Sequence, residues 1–409
     1  MTDLIQKFYV ELSLYNIDTG DSDILNNTLK EISISYDYSK NSYPLYQLIL
    51  NLTQDARDYI IKNNVNFLLK IFLVDMNSES VNNDYTSETM SKPALDKIII
   101  TENLRPLDKS ILSAKSKISS IDDDEENTTV KNQFFTYTLY CVPEDKINYN
   151  NSIINECYEN VSLNEAILNI ISSNYSEDIY LQESTNITRY QSLLVPQMNF
   201  INALRFINDA YGLYKNEFNI FFDEDKLYVY DICEQNREFT NYLNIEIKYA
   251  DDNSNQKAYE NAHYEEDDNK IIIYLKNIPT TFNNHDVYRD TTGNNHVSNS
   301  YDDNFNIVSR SYSLEGKDKT RYVWNTQKDK VFETKHLYDI YIISSIVINA
   351  IDPTMINPGT KITISGGDIS SVNGQYALLN KLFICKTTDF VNYTGQLSLG
   401  IGELQQNNG

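Results

Sequence analysis

Few side chains in this sequence have types and spacings that could perform chemistry. The four histidines are His263, His285, His296 and His336. None has a second histidine at the spacing of a metal site. The best metal candidate is the segment 263–268 (HYEEDD), where an imidazole precedes four carboxylates. His285 and His296, near Asp286 and Asp290, are equally weak candidates. In each case an acidic surface loop is the simpler interpretation, so we predict no metal site.

A second acidic run lies at residues 122–126 (DDDEE). Carboxylates attract hard divalent cations, but such a site needs its side chains held on a defined turn, and no DxDxDG loop is present. We therefore interpret the run as a solvated loop. The 58 acidic residues also offer many carboxylate pairs of the kind that cleaves glycosidic bonds, and nothing in the sequence singles one pair out.

Motifs of the common catalytic sites are absent. The sequence has no Gly-x-Ser-x-Gly elbow, no phosphate loop, no Gly-x-Gly-x-x-Gly and no His-Glu-x-x-His. The four cysteines show no CxxC spacing, and we expect them to be small buried hydrophobic side chains in a reducing compartment; they are Cys141, Cys157, Cys233 and Cys385. We predict a chain that is not an enzyme and has no catalytic residue and no cofactor.

The composition narrows the functional class further. The formal net charge is −24, and such a surface repels phosphate, which disfavours sequence reading or packaging of nucleic acid. The acidity has two interpretations that the sequence leaves open, namely solubility or a channel wall past which DNA slides. Glycine is scarce (12 residues) and tyrosine abundant (32 residues), which favours sheets and protein contacts.

No membrane segment is predicted. The N-terminal residues MTDLIQKFYVELSLYN contain no basic region followed by an apolar one, so we expect no signal peptide. The longest apolar stretch, Ile340–Ile351, is about 12 residues, whereas a membrane-spanning helix needs about 20. We expect assembly in a cytoplasm and no stable membrane association.

The first part of the chain, residues 1–145, has the pattern of a β-barrel. Residues 8–14 and 32–36 alternate between apolar and polar, and residues 65–74 are apolar on both faces, as in a strand buried between layers. Thr53 is a predicted cap of one short helix before that strand. A long polar excursion covers residues 76–131, and its first part, 76–94, has no usable period. We predict a small tube-like barrel with a long excursion.

The middle part, residues 146–240, changes to a helical period. Ser162 and Glu165 form a capping box before an apolar helix. A second helix is expected to start near Pro196 and to end at Gly212. Its apolar stripe is more typical of a core than of a cofactor site and consists of Phe200, Leu204, Ile207 and Tyr211. Two short strands follow, joined by the acidic turn 223–226. We predict an α+β module.

The last part, residues 241–409, returns to short strands. The turns Pro358-Gly359 and Asn373-Gly374 separate the closing strands. A second tube-like β-barrel is the simplest interpretation. The predicted fold class is therefore α+β, mainly β, with two small tube-type barrels on either side of an α+β module.

The segment Ile187–Asp231 carries a resemblance to a known family. An aromatic-Gln pair, a helix ending in Gly and a hairpin with an acidic turn resemble the signature of the phage tail-hub family. This family comprises baseplate hub proteins of contractile-tailed phages, late-control proteins of P2-like phages and the N-terminal part of type VI secretion spike proteins. The matching positions are Tyr190, Gln191, Phe200, Leu204, Ile207, Tyr211, Gly212, Asp223, Tyr228, Pro358, Gly359, Gly374 and Tyr376. The chain departs from many relatives at residues 192–196 (SLLVP), where they carry a Glu-Ser-Asp cluster.

The resemblance implies a structural role in a virion tail baseplate. It implies a homotrimer whose two barrels per chain form a six-membered ring, a symmetry adaptor between a hexameric tail tube and a trimeric central spike. Its partners would be the tube, the spike, and baseplate wedge or tape-measure proteins, and DNA would pass through without specific binding. No repetitive β-helix follows residue 400, so the spike would be a separate chain. Two alternatives stay open, a tail-associated cell-wall hydrolase and a receptor- or carbohydrate-binding tail protein.

Overall fold

A computed structural model describes most of the chain. The described residues are 7–38, 41–74, 95–107, 116–117, 134–214, 218–232, 242–249, 263–265, 270–275, 285–286, 297–301, 307–312, 320–325, 330–335, 341–349, 352–365, 374–387 and 393–403. Four α-helices lie among them: α1 (Gln54–Lys62), α2 (Glu144–Asn150), α3 (Leu163–Asn174) and α4 (Phe200–Tyr211). None of these four is long and apolar enough to cross a bilayer.

Strands make up most of the described structure. Those before residue 145 are β1 (Lys7–Asn16), β2 (Ser22–Ile24), β3 (Leu29–Asp37), β4 (Leu45–Thr53), β5 (Val65–Val74), β6 (Leu95–Pro106), β7 (Ser116–Lys117) and β8 (Phe134–Pro143). Those of the middle part are β9 (Ile153–Ser162), β10 (Asp178–Leu181), β11 (Arg189–Asn199), β12 (Phe218–Asp223) and β13 (Lys226–Asp231). Those of the last part are β14 (Tyr242–Tyr249), β15 (His263–Glu265), β16 (Lys270–Leu275), β17 (His285–Asp286), β18 (Val297–Tyr301), β19 (Ile307–Tyr312), β20 (Thr320–Asn325), β21 (Lys330–Lys335), β22 (Tyr341–Asn349), β23 (Lys361–Ser365), β24 (Gly374–Thr387) and β25 (Tyr393–Glu403).

Eight antiparallel strands close into a ring. Their order is β24-β3-β4-β8-β6-β5-β1-β25, and β25 pairs again with β24. The inward residues of β1, Phe8, Val10, Leu12 and Leu14, are all buried, because successive residues of a strand point to opposite faces. Closure leaves no free edge in this barrel. The predicted helix α1 is present, and the Thr53 side chain accepts from the Ala56 N–H at 3.3 Å.

The hairpin β24–β25 takes part in two strand paths of one large sheet. Residues 380–386 of β24 pair with β3 in the ring, whereas Gly374–Ala377 pair with β23. Strand β25 likewise pairs first with β1 and then with β22. A second strand path therefore runs β15-β16-β14-β23-β24-β25-β22-β17. The fold class, α+β and mainly β, is confirmed. The division at residues 145 and 240 stays a prediction, and strands from both outer parts share the ring.

The middle part packs two helices on two small sheets. The ribbon β9–β11 and the sheet β10-β13-β12 enclose α3 and α4. The capping box is present, since Ser162 Oγ accepts from the Glu165 N–H at 3.3 Å and the Glu165 carboxylate accepts from the Ser162 N–H at 2.8 Å. The expected start of α4 near Pro196 is wrong. Pro196 lies at a bulge in β11, where a residue without an N–H is tolerated, and Asn199 caps the helix.

Candidate functional site

Three signature residues meet at the end of α4. The Asn186 side-chain amide donates to the carbonyls of Tyr211 (2.9 Å) and Gly212 (3.0 Å), and to the Tyr190 hydroxyl (3.0 Å). The rings of Tyr190 and Tyr211 meet edge to face at 5.2 Å. Gly212 has φ +73°, a left-handed conformation that a side chain disfavours, and its N–H closes the helix on Asn208. These residues thus hold the helix end against strand β11.

The remaining positions of this stretch differ in exposure. Phe200, Leu204 and Ile207 are buried in the core of the middle part, as their spacing predicts. Gln191 lies at an exposed position of β11. The Tyr211 hydroxyl both accepts from the Leu194 N–H and donates to the Leu194 carbonyl, each at 3.2 Å. Most of this stretch is therefore architectural, and Gln191 faces outward.

Strand β12 contributes to two cores at once. Ile220 and Phe222 lie in the core around α3 and α4, whereas Phe221 is buried in the core of the ring. The aromatic rings of Phe221 and Tyr38 pack edge to face, with their centroids 4.7 Å apart, and Tyr38 directly follows strand β3. The backbone also connects, since the Phe222 N–H donates to the Ser42 carbonyl at 2.8 Å. The hairpin β12–β13 is thus the junction between the middle part and the ring.

Strand β13 packs against β24 at the same junction. Tyr228, Tyr230 and Ile232 form a small buried cluster with Ala377 and Leu379 of β24. Signature residue Tyr228 is 3% exposed, and Tyr180 stacks on it at a centroid distance of 4.9 Å. The hairpin is therefore enclosed between the helices on one face and β24 on the other.

A buried lysine of β24 holds one side of the acidic turn. Lys381 is 2% exposed, and its Nζ lies 3.8 Å from Asp223 Oδ2. The same ammonium donates to the carbonyls of Pro353 (3.0 Å) and Ile356 (2.6 Å) and lies 4.1 Å from the centroid of the Tyr36 ring. Burial raises the pKa of Asp223 above its usual range, and Lys381 acts against that rise.

A second buried lysine holds the other side. Lys146 of α2 is 1% exposed and pairs with Asp145 at 2.7 Å and with Asp225 at 3.7 Å. Burial alone would lower the pKa of Lys146, but nearby Glu102 and the bonded Asp145 outweigh it, so the pKa lies above its ordinary value. We call Asp223, Asp225, Lys146 and Lys381 the hairpin clamp. Glu224, between the two aspartates, has φ +53°, and burial raises its pKa to about 7.

The late signature residues lie beside the clamp. The Thr360 N–H donates to the Asn357 carbonyl at 3.1 Å and closes the turn that contains Pro358 and Gly359. Gly359 has φ +90°, which favours glycine. Gly374 and Tyr376 pair with the strand that follows this turn, and Tyr376 is buried in the core of the ring. Because Lys381 binds the carbonyls of Pro353 and Ile356, it joins this region to the acidic turn.

The structure describes some of the candidate metal ligands and three of the four cysteines. Among the residues that the structure describes, no group of three or more potential metal ligands occurs. Residues 122–126 and 266–268, with His296 and His336, lie outside that part of the chain, and so does Cys233. Cys141 and Cys385 are buried as expected, but Cys157 is exposed. The expectation fails there because Cys157 pairs with Leu194 on the solvent side of the ribbon β9–β11.

The model of one protein family matches residues 4–390, and that family is described as Bacteriophage PBS1 gene 109 protein. The chain belongs to this family. No curated protein matches the chain significantly. In this member of the gene 109 family the matched residues include the whole junction and the clamp.

Solved structures similar to this chain include a tail protein of Neisseria meningitidis (9% identity, TM-score 0.42, covering 97% of each chain). A 43 kDa tail protein of prophage MuSo2 from Shewanella oneidensis has 9% identity and TM-score 0.37, covering 97% of this chain and 99% of its own. A type VI secretion component of E. coli, c3393, has 6% identity and TM-score 0.38, with coverage of 93% and 75%. Tail proteins and type VI secretion components are the kinds of protein that the sequence resemblance named.

Sequence reasoning missed the residues that complete the junction of this gene 109 family member. These are Lys146, Lys381, Glu102 and Asn186. A signal for Lys381 existed, because it takes an inward position of β24 between Leu379 and Phe383, where the alternation calls for an apolar residue. Glu102 occupies a similar inward position of β6, between Ile100 and Leu104. A charged residue at a buried register indicates a partner from another element.

Proposed function

We propose that the chain is a structural hub subunit of a phage tail baseplate. In this role it is a homotrimer that joins a hexameric tail tube to a trimeric central spike and lines the DNA passage. Its further partners are baseplate wedge or tape-measure proteins, and its place is the virion tail. Membership of a phage protein family supports the viral origin.

The observation that carries the proposal is how the signature residues are used. The Asn186 amide joins Tyr190 to the carbonyls of Tyr211 and Gly212. Asp223 and Tyr228 join the hairpin to the ring. Side chains that pack within the core and hold the middle part against the ring suit a subunit with a structural role. They are engaged in contacts within the chain, so the proposed mechanism is assembly without turnover.

The arrangement of the strands supports an adaptor. A closed ring of eight strands shares the hairpin β24–β25 with a second strand path, so the two β regions are connected by continuous hydrogen-bonded strands. Two β units joined in this way would present a fixed spacing to a tube above them. The net charge of −24 suits a passage wall that does not retain DNA.

The first test is the mass of the purified chain by light scattering at several concentrations, with and without the tube and spike proteins of the same phage. We expect a trimer of about three times 47.4 kDa, or a monomer that trimerises when either partner is added. A monomer indifferent to both partners would contradict the proposal. Release of soluble fragments from purified cell wall, abolished by one carboxylate substitution, would favour the hydrolase alternative instead.

A further inference from the structure

At the end of the ring where β6 runs past the last residue of β8 and α2 begins, which we call the mouth, lies an inward-facing carboxylate that the proposed function does not use. Glu102 of β6 is 6% exposed and pairs in register with Leu69, a core residue. Its neighbours along the strand on the same face, Ile100 and Leu104, also belong to the core. An ionised carboxylate in such surroundings loses its hydration, so the neutral form is favoured unless a cation compensates it fully.

Among the residues that the structure describes, fewer cations than acidic groups face this carboxylate. The acidic groups that surround the mouth come from α2, the hairpin tip and the 352–356 turn, and they are Glu144, Asp145, Asp223, Glu224, Asp225 and Asp352. The basic groups are Lys146, Lys226 and Lys381, with Arg105 and Lys97 at the periphery. The titratable hydroxyls there are Tyr36, Tyr38, Tyr46 and Tyr228. Lys146, the cation with the largest effect on Glu102, is already bonded to Asp145 and paired with Asp225.

Several buried side-chain oxygens at this junction also lack a hydrogen-bond partner. Among the described residues, Oδ1 of Asp145 and Oε2 of Glu144 are buried and accept no hydrogen bond. The hydroxyl of Tyr38, fully buried beside Phe221, is also without a partner. Glu102 and the six acidic groups around it outnumber the five basic groups that the described residues place there.

We propose that Glu102 carries a proton in the native molecule and that docking of the hairpin β12–β13 and helix α2 onto the ring is coupled to this proton, so that the junction loosens as the pH rises. The junction is then a proton-sensitive joint between the ring and the middle part. Deprotonation inside the closed mouth adds a charge that only opening can hydrate.

The direction of the pH dependence follows from linkage. Burial raises the pKa of Glu102 to about 8, with Lys146 acting against the rise, and burial with Asp223 raises that of Glu224 to about 7. A carboxyl group whose pKa is raised in the closed state favours closure fully below its pKa in the open state. That contribution is lost as the pH rises through about 7 for Glu224 and about 8 for Glu102.

The test is hydrogen–deuterium exchange of the full chain between pH 6 and 8.5, corrected for the intrinsic exchange rate. In the wild type we expect protection of residues 218–231 to fall by up to about tenfold per pH unit for each proton released. Helix α3, which lies inside the middle part, is the internal reference and keeps its protection. If the protection of the hairpin in the wild type does not change with pH, the proposal is wrong.

Glu102→Gln identifies the proton, because glutamine has the shape of the neutral carboxyl group. In this variant, we expect the slope of hairpin protection against pH to be smaller by the contribution of about one proton. At pH 8.5 its hairpin should be better protected from exchange than that of the wild type. The matched control, Glu159→Gln, removes an exposed carboxylate from β9 and keeps the wild-type dependence. The assignment to Glu102 is wrong if Glu102→Gln and the wild type share the same slope.

Discussion

The ammonium group of Lys381 lies 3.8 Å from the carboxylate of Asp223, although the two residues belong to different sheets. Lys381 is part of the closed ring, and Asp223 ends the strand that leads into the hairpin tip. Both side chains are almost fully buried. The pair therefore fixes the hairpin, and with it the middle part, at one place on the ring.

Removing the lysine should destabilise the chain strongly. Lys381→Met leaves Asp223 buried without its nearest cation, and breaking a buried pair in this way costs about 3–5 kcal/mol. The matched control is Lys386→Met on the same strand, where a more exposed pair with Glu31 contributes about 1 kcal/mol or less. Urea unfolding measures both variants. Equal losses would show that Lys381 does not hold the junction.

The double variant Lys381→Met with Asp223→Asn should recover part of that loss. It removes both charges, so no unpaired ion stays buried, and the coupling between the two sites is the difference from the sum of the single variants. We expect the double variant to be more stable than Lys381→Met alone, in the same unfolding experiment. A strictly additive loss would mean that the two charges do not interact.

Truncation of Phe221 should release the hairpin while the ring persists. The side chain is fully buried in the ring core, and replacing such a phenylalanine by alanine costs about 3–5 kcal/mol. Hydrogen exchange of Phe221→Ala should show loss of protection in residues 218–231 before any loss in β1 and β5. The control Phe134→Ala truncates a ring that is 47% exposed, and its effect should be much smaller.

At Gly212, the left-handed residue that ends α4, alanine and asparagine should have different effects on stability. At φ +73°, Gly212→Ala places a Cβ in an unfavourable conformation and should cost about 1–2 kcal/mol. Gly212→Asn should cost less, since asparagine tolerates this region of backbone conformation. Thermal unfolding compares the two variants. An alanine variant as stable as the asparagine variant would argue against a conformational requirement.

Cysteine reactivity should separate the three described cysteines. Burial raises the pKa of the thiols of Cys141 and Cys385 well above the usual range, and both side chains are inaccessible, whereas Cys157 is exposed. A thiol reagent under native conditions should modify Cys157 rapidly, and the other two only after denaturation. Peptide mass spectrometry locates the adducts. Rapid native labelling of Cys141 would show that the ring opens readily.

The sequence predicted local structure wherever residues close together in the chain determine that structure. The capping box at Ser162, the stripe of α4 and the left-handed Gly212 depend on residues within a few positions of one another. The alternating strands also follow from a local period of two. These features predicted a mainly β, α+β chain and the ring strands β1, β3 and β5.

Tertiary structure alone decided which strands pair and where the charges meet. The pairing of β24 with β3 brings residues 380–386 to residues 31–37, and no local pattern encodes a contact over that distance. The same strand carries Lys381 to Asp223 of the hairpin. The sequence determined which residues prefer burial, because side-chain hydrophobicity is a property of each residue. Only the folded chain determined which buried charge lies beside which, because a lone buried ion is costly and its partner comes from a distant strand.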